Sequence, residues 1–318
     1  MQMNKISGKV VRGLGGLYDV ESADGLTRVS CRARGIFRRD EKNKILVGDN
    51  VTVTTEADSY VISEQCERKN SLIRPPLANV DVIFTVVASA EPTPVLDTLD
   101  KLMVICEHNG IRVVPVFTKS DISSPDEYAQ IYKKAGYDVF CLSSVTGEGV
   151  ETLREYIAST VTDGVCAAFA GASGVGKSTL LNSLFPTLQL ATGDISKKIS
   201  RGKHTTRHVE IFRINEKDGT CGYLADTPGF SLLDFVHFDF LELEALFPCF
   251  PEFVAHASLC RYSDCSHTNE GASECGVVSA CERGEIAKSR HECYKNLYAV
   301  LKTKKNTQFS KKSIDKTK

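Results

Sequence analysis

The 318-residue sequence has no tryptophan, only 3 methionines and a formal net charge of only −1. It also lacks any run of about eighteen apolar residues, so no membrane-spanning segment is predicted. The residues that follow Met1 contain no apolar stretch of the kind that forms a secretory signal. We therefore expect a cytoplasmic protein with no membrane partner, and we take a monomer as the default state.

Cysteine, by contrast, is plentiful, with 12 residues. Without a secretion signal, these cysteines are expected to be reduced core residues and metal ligands instead of disulfide partners. The chain is 42% hydrophobic and 25% charged. Such a composition predicts a folded chain long enough to form a core in more than one domain.

A glycine-rich segment matches the phosphate-binding pattern G-x-x-x-x-G-K-[ST]. Its residues are Gly171, Ala172, Ser173, Gly174, Val175, Gly176, Lys177, Ser178 and Thr179. An apolar run over residues 165–170 suits a buried strand, and residues 179–185 have the pattern of a helix. In that setting the backbone N–H groups and Lys177 would hold phosphates, and the Ser178 hydroxyl would bind Mg²⁺. The alternative is an ordinary tight turn between a strand and a helix.

A second motif, Thr118-Lys119-Ser120-Asp121, follows a β-branched run over residues 111–117 that predicts a central parallel strand. The Asp121 carboxylate can accept hydrogen bonds from two N–H groups on one edge of guanine, whereas adenine would leave this charge unpaired. Lys119 can place its methylene stem along the base. A later loop, which begins with Ser143 and Ser144, offers backbone N–H groups to the guanine oxygen. These residues predict binding of GTP and GDP.

A third group of residues follows the glycine-rich segment. Asp226, Thr227, Pro228 and Gly229 match the D-x-x-G element of GTPases, in which the Asp lies near Mg²⁺ and the Gly N–H meets the γ-phosphate. Between the two elements, residues 201–206 include His204, Thr205 and Thr206. Either threonine could complete the Mg²⁺ shell, and we favour Thr206.

A cysteine and histidine cluster lies near the C-terminus. Cys260, Cys265, His267 and Cys275 have the spacing C-x4-C-x-H-x7-C and could hold one structural Zn²⁺ with no open position for water. Cys249 or Cys281 could replace Cys275. The alternative is a loop with incidental cysteines. We expect the metal to hold a small C-terminal domain folded.

The sequence as a whole predicts four parts. These are a β-barrel over residues 1–69, an α/β domain with the nucleotide motifs over 70–232, a zinc-binding helical domain over 233–302 and a basic disordered tail over 303–318. Short alternating runs indicate the barrel. In one such run Arg28, Arg32 and Arg34 share a face, whereas Val29, Cys31 and Ala33 share the other.

The base-reading motif precedes the phosphate-binding motif, which indicates a circularly permuted P-loop GTPase. With the R-G-K-H-T-T segment and the cysteine cluster, the chain resembles the circularly permuted GTPases that depend on the small ribosomal subunit. The resemblance implies GTP hydrolysis late in assembly of that subunit, activation by the subunit, and contact between an oligonucleotide-binding barrel and ribosomal RNA. It also implies that His204 positions the attacking water, since Phe230 stands where many GTPases have glutamine.

The permuted order joins the γ-phosphate-sensing segment directly to the C-terminal region. We expect loss of the phosphate to reorient that region. Two alternatives remain open: a nucleotide-gated RNA-binding protein with vestigial hydrolysis, suggested by Phe230 and by Thr118 in place of the usual asparagine, and an ATP-dependent enzyme, which Asp121 disfavours.

Overall fold

The computed structural model describes residues 5–39, 44–56, 59–73, 75–186, 209–217, 220–226, 235 and 240–315. The chain forms two compact units, each made of two segments. The first contains Met1–Val86 and Ser144–Phe230, and the second contains Val87–Ser143 and Ser231–Lys318. Within the described residues, no helix is both long enough and apolar enough to span a bilayer.

The described elements begin mostly as strands, alternate between strands and helices over residues 82–184, and end in helices. The strands are β1 (Lys5–Leu14), β2 (Leu17–Ser22), β3 (Arg28–Ala33), β4 (Asn50–Glu56), β5 (Ser59–Gln65), β6 (Ser71–Leu72), β7 (Leu77–Ala78), β8 (Val82–Ala88), β9 (Arg112–Thr118), β10 (Phe140–Cys141), β11 (Cys166–Gly171), β12 (Glu210–Lys217) and β13 (Thr220–Asp226). The helices are α1 (Ile36–Arg39), α2 (Leu96–His108), α3 (Asp126–Lys134), α4 (Val150–Thr160), α5 (Lys177–Leu184), α6 (Pro251–Ala257), α7 (Gly276–Glu282) and α8 (Lys288–Asp315).

The first unit begins with a closed five-stranded barrel. Strand β1 pairs with both β2 and β4, and the order β1-β2-β3-β5-β4 closes because β3 pairs with β5. In β3 the residues alternate between exposed and buried, with Val29, Cys31 and Ala33 inside. The alternation places apolar side chains in one core with Val10, Val20 and Ile62. The predicted barrel and the faces of β3 are therefore confirmed.

The rest of the first unit is α/β. Strand β11 pairs in parallel with β8 and with β13, while β12 returns antiparallel to β13. The barrel strand β1 joins β12 through the pair Arg12 and Glu210. Residues 166–170 of β11 are all buried, as a strand covered on both faces requires.

The second unit contains β9 and β10, which pair in parallel, and the helices α2, α3, α6, α7 and α8. Helix α2 covers residues 96–108, and α3 begins directly after Pro125. Phe117 of β9 packs against Tyr128 and Tyr132 of α3. Two short 3-10 turns, Leu243–Ala245 and Phe247–Cys249, precede α6.

The prediction of a disordered tail over residues 303–318 is wrong as far as Asp315, because α8 continues to that residue. Lysine is a good helix former, and adding residues to an existing helix avoids the unfavourable nucleation step. The apolar half of α8, including Cys293, Tyr294, Leu297 and Leu301, is buried and supplies that starting helix.

Candidate nucleotide and metal sites

The glycine-rich segment forms the turn from strand β11 into helix α5, in the order that the sequence predicts. Gly174 and Gly176 have φ angles of +84° and +86°, which residues with a Cβ adopt reluctantly. A Cβ on Gly171 would lie 2.5 Å from the Val86 carbonyl oxygen, so glycine is also required there. The loop backbone thus takes a shape that these glycines permit.

The chemistry of this turn suits phosphate and Mg²⁺. Lys177 and Ser178 are the first residues of α5, and backbone N–H groups at the start of a helix favour anions. Residues 172–174 are exposed, whereas Val175 is buried and anchors the loop. The Ser178 hydroxyl is a hard oxygen donor of the kind that Mg²⁺ prefers. These residues fit a bound triphosphate with its cation.

The base-reading motif begins at the end of strand β9, where Thr118 is buried. Ser89 donates two hydrogen bonds to the Thr118 carbonyl oxygen. The backbone nitrogen of Ser89 lies 2.9 Å from this oxygen, and Oγ of Ser89 lies 2.5 Å from it. The Thr118 hydroxyl lies 3.4 Å from the carbonyl oxygen of Val87. Next in the chain, Lys119 has a φ of +61° and donates from Nζ to the Glu91 carbonyl oxygen. Hydrogen bonds to backbone carbonyl oxygens therefore hold the start of the motif in place.

Asp121 is held by a residue from the loop that follows β10. The Ser143 hydroxyl donates to Oδ1 of Asp121, and the Ser120 backbone N–H donates to the Leu142 carbonyl oxygen at 3.2 Å. Ser143 is buried, whereas Asp121 is exposed. The carboxylate is thus oriented on one side and remains open to a ligand. Ser144, the next residue, is half-buried in the first unit.

The residues proposed to sense the γ-phosphate are only partly described. Asp226 is the last residue of β13, and its side chain is outside the described part of the structure. Gly229, His204, Thr205, Thr206 and Phe230 also lie outside the described residues. Their roles remain predictions from the sequence.

The four predicted metal ligands meet in the second unit. One donor atom from each of Cys260, Cys265, His267 and Cys275 lies within 4.8 Å of the other three. Nδ1 of His267 is 3.5 Å from Sγ of Cys260 and 3.4 Å from Sγ of Cys275, and these two sulfurs are 3.9 Å apart. Ligands about 2.0 to 2.3 Å from a tetrahedral Zn²⁺ have spacings of this size. The cluster can hold a metal.

Backbone groups around the cluster favour thiolates. The Gly276 N–H donates to Sγ of Cys260 at 3.3 Å, and the Val278 N–H donates to Sγ of Cys275 at 3.5 Å. A Cβ on Gly276 would lie 2.3 Å from the His256 carbonyl oxygen, so glycine permits this close approach. Hydrogen bonds of this kind stabilise the deprotonated ligands that a metal requires.

The loop between His267 and Cys275 is fixed by Glu270, a residue that the sequence analysis did not single out. Glu270 accepts hydrogen bonds from the backbone N–H groups of Ser266 and Thr268, both at 2.8 Å. Burial opposes the charge on Glu270, but the hydrogen bond that the Ser266 hydroxyl donates at 2.8 Å and these backbone bonds outweigh burial and lower the pKa of Glu270 to about 2. No sequence pattern pointed to it, because its partners are backbone N–H groups and the hydroxyl of one nearby serine.

Helix α8 holds the same loop from the other side. Nε2 of His291 lies 2.7 Å from the His267 carbonyl oxygen, and the Tyr294 hydroxyl donates to the Ser266 carbonyl oxygen at 3.0 Å. One helix therefore fixes the backbone at a metal ligand.

Neither of the alternative cysteines joins the cluster. Sγ of Cys249 lies 3.1 Å from the Ala245 carbonyl oxygen, and Cys281 is buried further along α7. Among the described residues, Cys275 is thus the third thiol of the candidate metal cluster, and it is the N-cap of α7.

We expect Cys275→Ala to reduce the bound metal from about one ion per chain to nearly none, because three ligands hold Zn²⁺ far less tightly than four. Thermal unfolding should shift down by about 10 °C or more. Elemental analysis and circular dichroism check both results. The matched control, Cys281→Ala, removes a buried thiol from the same helix and should keep the metal. Equal metal content in the two variants would contradict the ligand assignment.

A buried ion triad also lies in the second unit. Arg290 of α8 has a side chain that is 1% exposed, and it lies 2.7 Å from Glu252 of α6 and 3.1 Å from Asp100 of α2. Burial opposes its charge, but Glu252 and Asp100 outweigh burial and raise the pKa of Arg290. The Tyr132 hydroxyl donates to Asp100 at 3.0 Å. The triad joins the C-terminal helices to the helix that precedes the base-reading strand.

Comparison with known proteins agrees with these motifs. The family model of the RsgA GTPase matches residues 65–236, and that of the RsgA N-terminal domain matches residues 7–61. The small ribosomal subunit biogenesis GTPase RsgA of Agathobacter rectalis is 40% identical over 314 residues, which cover 94% of this chain and 99% of the relative. The protein of the same name from Bacillus cereus is 39% identical over 308 residues, with 94% and 98% covered.

Two solved structures are similar over most of the chain. YjeQ from Thermotoga maritima has a TM-score of 0.73 and 35% identity, covering 94% of this chain and 99% of that one. YloQ, described as a circularly permuted GTPase, has a TM-score of 0.70 and 33% identity, with 95% and 96% covered. Fold and motifs define a circularly permuted P-loop GTPase with an N-terminal barrel and a C-terminal metal-binding region. The chain belongs to the RsgA GTPase family.

Proposed function

We propose that this GTPase acts in late maturation of the small ribosomal subunit, that the subunit activates its hydrolysis of GTP, and that hydrolysis releases the protein or checks assembly. The relatives named above carry the description of small ribosomal subunit biogenesis GTPases. The observation that carries the guanine preference is the exposed Asp121 carboxylate, fixed by the Ser143 hydroxyl at the end of a parallel strand. A fixed carboxylate there selects guanine over adenine and disfavours ATP as substrate.

We assign the phosphates to the glycine-rich loop and to Lys177, and we assign Mg²⁺ to Ser178, Thr206 and Asp226. When bound, Mg²⁺ would neutralise charge that develops on the phosphate oxygens. Ser178 would place one hydroxyl ligand at the start of α5, whose N–H groups favour the same negative charge. His204 is proposed to orient the attacking water once the ribosomal partner orders its segment.

The barrel is proposed to contact ribosomal RNA, and its charges refine that proposal. Arg28 lies 3.3 Å from Asp19 and 3.5 Å from Glu210, and Arg34 pairs with Glu56. Two of the three arginines that share this predicted face therefore have acidic partners. Arg32 is exposed between them. We assign Arg32 the larger share of any phosphate contact.

The metal of the Cys3His cluster is proposed to be Zn²⁺, since three thiolates and one imidazole favour it over Mg²⁺ or Ca²⁺. It would act as a structural ion, because all four tetrahedral positions are taken by side chains. We propose a cytoplasmic location and a monomeric state, in keeping with a ribosomal substrate.

Steady-state GTP hydrolysis tests the proposed function, with the protein alone and with purified small or large ribosomal subunits. We expect the small subunit to raise the turnover number by about a hundredfold, because a partner that completes a GTPase site supplies at least this much. Lys177→Ala, which lacks the phosphate-binding ammonium, serves as the blank.

Activation by both subunits, or by neither, would contradict the proposal. GTP binding without activation would favour the second candidate, a nucleotide-gated RNA-binding factor with vestigial hydrolysis. In that case His204→Ala should have no effect on turnover, whereas the proposed role predicts loss of the activated rate only.

A further inference from the structure

A cavity of about 340 Å³ lies in the first unit, away from the glycine-rich loop. Barrel residues Ser7, Lys9 and Asn50 line it, together with Lys69, Asn79 and Tyr223. None of residues 171–179 belongs to the lining. The volume is at the lower end of the range for small-molecule sites.

Lys9 is the unusual member of this lining. It is only 8% exposed, and its Nζ lies 5.0 Å from the centre of the Tyr223 ring. Within the described part of the chain, its ammonium has no ion pair and no hydrogen-bond acceptor. Burial lowers the pKa of Lys9, although Cys166 and Asp81 oppose this effect. The attraction between an ammonium and the face of an aromatic ring replaces only part of the hydration that the ammonium loses on burial.

The carboxylates nearest to Lys9 are already engaged by other groups. Asp81 accepts from Nζ of Lys69 at 2.8 Å through one oxygen and from the Cys166 N–H at 2.8 Å through the other. Asp49 accepts from Arg68 at 2.7 and 2.8 Å. The positive charge of Lys9 is therefore left without a contacting anion in a space large enough for a ligand.

We propose that this cavity binds the phosphate group of a small metabolite, with Nζ of Lys9 as the main donor. Lys69 supplies a second ammonium at the wall, and Ser7 and Asn50 add neutral polar groups for further phosphate oxygens. Because Lys9 is only 8% exposed, less water competes with a phosphate for its ammonium than at a surface lysine. The burial of Lys9 and the small volume favour a compact ligand over the backbone of an RNA strand.

Calorimetric titration of the full-length protein with inorganic phosphate tests the site, with GDP and Mg²⁺ present to fill the nucleotide site. Lys9→Met keeps the apolar stem and removes the charge. We expect its dissociation constant for phosphate to rise about tenfold or more, since a buried charged contact is lost. Lys5→Met is the matched control, because Lys5 is on the same strand, 61% exposed and paired with Glu64.

Thermal unfolding gives an independent readout. Without phosphate, Lys9→Met should unfold a few degrees higher than the wild type, because a buried charge without a partner is removed. Phosphate should raise the unfolding temperature of the wild type and of Lys5→Met, but not that of Lys9→Met.

Equal phosphate binding by the wild type and by Lys9→Met would overturn the proposal, as would no binding by the wild type at millimolar phosphate. A short single-stranded RNA is the second probe. If its binding, but not that of phosphate, depends on Lys9, the cavity belongs to an RNA surface and the metabolite site is refuted. Neither result depends on ribosomal activation of GTP hydrolysis.

Discussion

Asp121→Asn should weaken GTP binding by about a hundredfold or more and should create binding of xanthosine triphosphate. The carboxylate of Asp121 can accept from two N–H groups of guanine, and each such charged hydrogen bond contributes about 1.5–3 kcal/mol. An asparagine turns an NH₂ group toward one of those donors, so that hydrogen bond is lost and replaced by repulsion between two donors, and the remaining bond loses its charge. Xanthine replaces the guanine amino group with a carbonyl, which accepts from that NH₂ group.

The structure explains why this variant should keep its loop geometry. Ser143 donates to Oδ1 of residue 121, and asparagine retains an oxygen at that position. The amide nitrogen then faces the base. A variant without the oxygen, Asp121→Ala, should lose GTP binding and should gain none for the xanthine nucleotide.

Fluorescent-nucleotide titrations with the two bases measure the change in preference. The control is Asp126→Asn, which neutralises an exposed aspartate at the start of α3 that is hydrogen-bonded to Ser124 at 2.8 Å. It should leave both affinities unchanged. If Asp121→Asn binds GTP as well as the wild type, Asp121 does not read the base.

Arg290→Met should lower the free energy of unfolding by about 3–5 kcal/mol, because two buried carboxylates lose their shared cation. Asp100 and Glu252 have side chains that are 1% and 5% exposed, so water does not replace the guanidinium. Methionine fills part of the volume but satisfies neither oxygen pair. Chemical denaturation monitored by tyrosine fluorescence measures the loss.

This loss should be larger at pH 8 than at pH 5. Burial raises the pKa of Asp100 even in the wild type, against the lowering effect of Arg290, and removal of Arg290 would raise it further. A carboxyl group with a raised pKa in the folded state binds more protons there than in the unfolded state. The stability of the variant therefore rises as the pH falls toward the ordinary carboxyl range, near 4.

Arg283→Met is the matched control. Arg283 lies 2.7 Å from Glu285, and both side chains are about half exposed, so solvent screens this pair and its loss should change stability far less than the loss of Arg290. The double variant Arg290→Met with Glu252→Gln should be more stable than Arg290→Met alone, since one buried charge is removed. A loss at residue 290 as small as that at residue 283 would contradict the triad's role.

Because of the triad, deletion of the C-terminal region would also affect the stability of the rest of the second unit. Deleting residues 233–318 removes Glu252 and Arg290, and it leaves Asp100 in α2 without its buried cation. Such a deletion should damage the unit that contains the base-reading strand. Point substitutions in the C-terminal region, and not its removal, are the appropriate test of its proposed response to the γ-phosphate.

The sequence predicted the parts of the fold that depend on local patterns. The glycine-rich turn follows from residues 171–179 alone, because glycines, lysine and hydroxyls must lie at fixed spacings around phosphate. The alternation in β3 likewise follows from a period of two. The cluster of three cysteines and one histidine could also be predicted, since its four members lie within sixteen residues.

Contacts between distant segments could not be predicted. Arg290 meets Asp100 across 190 residues of sequence, and a lone arginine on a lysine-rich helix is ordinarily a solvated side chain. Lys9 resembles any other strand lysine until Tyr223 is placed beneath it. The choice of Cys275 over Cys281 depends on the close approach that Gly276 permits. These features need three-dimensional positions.

Each unit consists of two chain segments, and this determines how the protein could be split into two fragments that reassemble. A break between Ser143 and Ser144 yields one piece with the first segment of each unit and another piece with the second segments. Neither piece contains a complete unit, so neither is expected to bind GTP by itself, although the barrel lies wholly in the first piece. Synthesised together, the two pieces can restore both units at once. Recovery of GTP binding from such a pair would make this boundary usable for a split reporter.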